Sequence, residues 1–92
     1  MEKMTKQEVL EIKEEMDYAE KLWENDNKTQ KSSKKRLKKA KHKFREAEVK
    51  YVLENLQCLI NEDRINKQDI DMYLTHCLKV LDGEHDGVVF DF

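Results

Sequence analysis

From its first residue to Asp82 the chain contains neither proline nor glycine; its two glycines are Gly83 and Gly87. Proline and glycine are the residues that most disfavour a helix interior, by about 3 and 1 kcal/mol respectively. A long stretch free of both, and rich in Lys, Glu and Leu, reads as extended helices. The fold class is therefore all-α.

Apolar spacing divides the stretch. Val9, Ile12, Met16, Ala19 and Trp23 follow steps of 3, 4, 3 and 4, which is a heptad seam. Leu10, Tyr18 and Leu22 widen it, and Glu11, Glu14, Glu15, Asp17, Glu20 and Glu24 occupy the outside. Thr5 and Glu8 have the spacing of a capping box, and the residues up to Met4 read as frayed. Leu37, Ala40, Phe44, Ala47 and Tyr51 repeat the same steps. Between the two seams lies polar sequence, Asn25 to Ser32, suited to joining antiparallel helices, with Ser32 or Ser33 as the next N-cap. A hairpin of this kind sets Trp23 near Leu37 and Val9 near Tyr51. One uninterrupted helix through the polar segment is the competing arrangement.

From Val49 the second helix gains another stripe: Val49, Val52, Leu53, Leu56, Leu59 and Ile60. A helix apolar on two sides needs two neighbours. The third helix supplies the second one, starting at Asn66 as N-cap with Ile65 and Ile70 as a hydrophobic staple. Its expected core face is Ile70, Tyr73, Leu74, Cys77, Leu78 and Leu81, and Gly83 stops it. The sequence thus predicts an antiparallel helical hairpin with a third helix packed on the C-terminal half of the long second helix. Helices are expected over about 6–24, 33–61 and 67–81, in one domain of residues 1–83, followed by a short non-helical C-terminal tail, 84–92.

Composition bears on function through charge. The chain has 92 residues, 41% of them charged, yet a net charge of only −2. That balance hides a division: residues 1–27 carry net −5, residues 28–53 net +9 and residues 54–92 net −6. Ten Lys or Arg residues fall between Lys28 and Arg45 without one acidic residue. Lys34, Lys35, Arg36, Lys38, Lys39, Lys41, Lys43 and Arg45 are the candidate contacts to nucleic acid or another anionic surface, attracted through counterion release. Nothing here reads bases, so nucleic-acid binding is expected to be sequence-independent. The opposing reading is internal: acidic residues on the first helix pair with lysines flanking the seam.

No catalytic motif, phosphate loop or metal-ligand spacing is present, so the expectation is a non-enzymatic protein without cofactor or metal. Cys58 and Cys77, both on apolar helix faces, read as two buried, reduced thiols. Trp23, Phe44 and Tyr51 read as core, and the carboxylates as solvated. No apolar run reaches the roughly 18–20 residues of a membrane span, and a cytoplasmic protein follows.

The chain ends Val88, Val89, Phe90, Asp91, Phe92, apolar residues that need a partner, either the protein's own core or another protein. Val89 to Phe92 resembles the C-terminal tails of DNA polymerases and late-transcription proteins of large tailed bacteriophages, which dock on the sliding clamp. The resemblance covers the tail alone. It implies a protein partner for the tail, a polymerase or a sliding clamp, with Phe90 and Phe92 as anchors in a hydrophobic pocket and Asp91 facing a basic rim. The alternative is that the phenylalanines cap the Leu78 and Leu81 end of the third helix. The expected function is a small adaptor or regulator in nucleic-acid machinery, of the phage transcription co-activator type. A coiled-coil oligomerisation protein, including a homodimer, and an inhibitor that binds a host enzyme are the alternatives.

Overall fold

A computed structural model describes residues 3–25 and 31–92. It contains α1 (Lys6–Asn25), α2 (Lys31–Asn61) and α3 (Lys67–Leu81), and no strand among the described residues. Helix α1 packs on α2, and α2 packs on α3. The all-α architecture follows the apolar spacing closely. The polar connection largely falls on residues 26–30, outside the described residues. Helix α2 is already formed at Lys31, so Ser32 and Ser33 lie inside it and do not cap it.

The two heptad seams form the core. Val9, Met16 and Ala19 of α1 meet Leu37, Ala40, Phe44 and Tyr51 of α2, with Ile12 and Trp23 half-buried against them. At the start of α1 the capping box is only half made. The Glu8 amide donates to Thr5 Oγ1 at 3.2 Å, and the Glu8 carboxylate accepts from the Thr5 hydroxyl, not from its amide. Met4 is not frayed: its amide donates to Glu54 Oε1 at 3.2 Å and its side chain packs on the core.

The C-terminal ends of α2 and α3 close with the same backbone device. After α2, Arg64 N–H donates to Leu59 O at 3.0 Å and Asp63 N–H to Ile60 O at 3.1 Å, with Asp63 at φ 56°. After α3, Glu84 N–H donates to Lys79 O at 2.9 Å and Gly83 N–H to Val80 O at 3.0 Å, with Gly83 at φ 81°. Each is a Schellman motif, in which a left-handed residue turns the chain back over the last carbonyls. Asn66 caps α3 as its sequence predicts, accepting from Asp69 N–H at 2.8 Å.

Helix α3 is rotated relative to the face its sequence suggests. His76, Cys77 and Val80 are buried, whereas Leu74, Leu78 and Leu81 are 42%, 63% and 54% exposed. On α2 the second stripe is correspondingly shifted: Glu48, Val52 and Leu56 are buried, while Leu53 and Ile60 are exposed. The cause is the tail. Residues 84–92 fold back beside α3 and bring aromatic rings against its Tyr73 and His76 edge. Phe90 meets Tyr73 at 5.0 Å and His76 at 4.6 Å, and Phe92 meets Tyr51 at 5.4 Å. Burying that aromatic cluster turns this edge of α3 inward and its leucines outward. The phenylalanines thus sit against Tyr51, Tyr73 and His76, not over the Leu78 and Leu81 end.

Candidate anion-binding face and a buried carboxylate

The outer side of α2 is built from residues one helical turn apart. Lys31, Lys35, Lys38 and His42, at steps of 4, 3 and 4, lie opposite the seam that holds α1. Lys34, Lys35, Arg36, Lys38, Lys39 and Lys43 are exposed, and Lys41 is half-buried. Lys35, Lys38, Lys39, His42 and Lys43 line a shallow depression of about 470 Å³ that Arg45 and Glu46 close.

Internal pairing uses only part of this charge. Arg45 is committed: its Nε and Nη2 donate to the two carboxylate oxygens of Asp86 at 2.8 and 2.7 Å. That fork holds the Asp86 carboxyl below its ordinary range and takes Arg45 out of the expected contact set. Lys43 stands 3.8 Å from Glu15, and Arg36 covers the Tyr18 ring at 5.2 Å. Among the described residues, Lys34, Lys35, Lys38, Lys39 and Lys41 form no ion pair. The acidic outside of α1 therefore neutralises little of the basic run.

Sequence reasoning missed Glu48. It was one carboxylate among many, yet its side chain is fully buried. Glu48 Oε1 accepts from Phe90 N–H at 2.9 Å and lies 3.1 Å from His76 Nε2, while Oε2 has no partner among the described residues. Burial pushes the Glu48 carboxyl up, and the Phe90 amide and His76 partly offset this. His76 stacks on His85 at 5.7 Å. Phe90 covers Glu48, while His76 and His85 border a surface groove of about 600 Å³ with Gln68 and Lys79, and the geometry of the pair is that of a clasp holding the tail. Only a break in the apolar pattern, a glutamate between Ala47 and Val52, could have signalled it.

The remaining tail residues are also placed. Val89 packs on the core cluster, Val88 is exposed, and Asp91 Oδ1 accepts from Lys6 Nζ at 2.7 Å. Phe92 stays 43% exposed and borders a groove with Lys3, Cys58 and Arg64. Of the two thiols, Cys77 is buried as expected but Cys58 is exposed, beside Lys3 Nζ at 3.1 Å. Among the described residues no group of three or more His, Cys, Asp or Glu side chains is placed to hold a metal. No described helix is long and apolar enough to cross a membrane.

Fold and surface together define a class by structure alone: a three-helix domain with a bare basic helix flank and a clasped tail. The chain matches no protein-family model, no curated protein and no solved structure.

Proposed function

We propose that this chain is a small non-enzymatic adaptor in nucleic-acid machinery that grips the phosphate backbone with the outer flank of α2. The observation that carries this reading is the set of lysines, Lys34, Lys35, Lys38, Lys39 and Lys41, that form no ion pair among the described residues, Lys41 alone lending its charge to Asp86. Unpaired lysines in a row on a helix raise the local potential for a polyanion and release its counterions on contact. The grip is sequence-independent, because long Lys side chains carry charge but no paired donor and acceptor to read a base edge. Two unpaired thiols, one exposed, suit a reducing cytoplasm.

The tail enters this reading as part of the body. A tail that docks on a sliding clamp would first have to leave Glu48, Tyr73 and His76, so a clamp contact competes with the fold.

Fluorescence anisotropy with a labelled duplex, repeated across salt concentrations, tests the proposal. Four or five phosphate contacts give a slope of log K against log salt of roughly −4. Lys35→Glu with Lys38→Glu should flatten the slope by about 2 and leave the helical circular dichroism unchanged. Absence of binding at low salt, or a slope indifferent to the charge reversal, overturns it. Binding of an acidic peptide in preference to the duplex overturns it in favour of a protein partner.

A further inference from the structure

Lys34, Lys38, Lys41 and Arg45 follow steps of 4, 3 and 4 and form one row on α2. They line a depression of about 260 Å³ beside Trp23 and Leu37. Arg45 also borders the depression that Lys35, Lys38 and Lys39 line. The three lysines of the row form no ion pair among the described residues. Arg45 ends the row, and its guanidinium is taken by Asp86.

That contact has the chemistry of the ligand proposed above. Two N–H groups of Arg45 donate to the two oxygens of one carboxylate. The same fork takes two oxygens of a phosphate. Lys41 lends its charge to the same carboxylate. A phosphate strand running along Lys34, Lys38 and Lys41 therefore meets Arg45 next, and finds an anion already there.

The carboxylate is held in place by the strap that carries it, residues 82–90. Gly83 lies against Arg45, where a Cβ would stand 3.0 Å from Nη2. Gly87 lies over α1, where a Cβ would stand 3.8 Å from Met16 Cε and 3.9 Å from Lys13 Cε. Three residues further on, the Phe90 amide donates to Glu48 and its ring meets His76. Anchored on both sides of Asp86, the strap presents the carboxylate to Arg45 at an effective concentration on the order of millimolar.

We propose that Arg45 is a phosphate subsite at the end of the basic row, that Asp86 fills it while the tail is seated, and that the tail is an autoinhibitory strap which a polyanion displaces. This regulates the face proposed above and rests on that reading. The coupling is reciprocal: the factor by which the seated strap weakens phosphate binding is the factor by which bound phosphate weakens the seating.

Anisotropy with a labelled duplex, on full-chain variants, decides it. Phe90→Ala loosens the strap without changing a charge, and should bind about fivefold tighter than wild type. Its slope of log K against log salt should steepen by about 1, for one added phosphate contact. Adding Arg45→Gln to Phe90→Ala should remove both gains. Asp86→Asn should tighten binding more than Glu84→Gln, which makes the same charge change at an exposed residue of the strap. Circular dichroism checks that each variant keeps its helices. Should Phe90→Ala lose them, the comparison of Asp86→Asn with Glu84→Gln decides alone. A folded Phe90→Ala with wild-type affinity, or equal effects of Asp86→Asn and Glu84→Gln, overturns the strap and leaves a salt-dependent grip by wild type standing. A duplex bound by neither wild type nor any variant overturns both.

Discussion

Glu48 Oε1 and the Phe90 amide nitrogen stand 2.9 Å apart, across 42 residues of sequence, in a partly buried aromatic cluster. The same oxygen faces His76 Nε2 at 3.1 Å. One buried carboxylate thereby ties α2 to both α3 and the tail.

Burial raises the Glu48 carboxyl above its ordinary value of 4.5. In that regime the folded state binds more protons than the unfolded one. The contribution is fully present below pH 4.5 and is lost as pH rises through the elevated folded value. Glu48→Gln keeps an acceptor for Phe90 N–H and removes the charge. Urea unfolding followed across pH should show wild type losing stability over that window while Glu48→Gln does not. At neutral pH the variant should be at least as stable as wild type, and the two should converge in acid.

Asp86 runs the opposite way. Arg45 holds its carboxyl below the ordinary 3.8, so its contribution is present above pH 3.8 and vanishes as pH falls through the depressed value. The Arg45 and Asp86 side chains are 31% and 21% exposed, and the pair is a two-point fork. Asp86→Asn should cost about 1 kcal/mol at neutral pH. Its denaturation midpoint should converge on that of wild type as pH falls through the depressed value.

Removing Val88, Val89, Phe90, Asp91 and Phe92 should cost about 3 kcal/mol or more. It uncovers an aromatic cluster and strips a buried carboxylate of its amide donor. Thermal denaturation should fall by more than 10 °C on a domain of this size, roughly. A truncated chain as stable as wild type would show that the tail is an appendage. Phe90→Ala alone should reproduce most of the loss, about 2 kcal/mol.

The hairpin was legible because Val9 to Trp23 and Leu37 to Tyr51 carry an unbroken helical period, and local periodicity survives packing. The end of α3 was legible for a similar reason: Gly83 suits a left-handed residue. The rotation of α3 was not legible. Its leucine row and its Tyr73–His76 edge are both plausible inner faces, and the choice between them is made by residues ten or more positions away. The candidate basic face was legible as a charge run. Which of its members are free was not, because Arg45 is claimed by Asp86 in the tail. Glu48 was hard to read because a carboxylate is almost never fully buried, and its one mark in the sequence is a break in the apolar pattern that a solvated glutamate would leave equally.

The clasp also sets an order of events. Helices α1 and α2 are neighbours in sequence, whereas Phe90 reaches Glu48 across 42 residues and Asp91 reaches Lys6 across 85. Contacts between distant residues carry the larger loop-closure cost and tend to form late. The tail is then the last piece to settle and the first to lift, a small cooperative unit above a persistent hairpin. The Phe90 amide proton is its clock: its exchange with deuterated solvent measures how often the carboxylate beneath is bared to water.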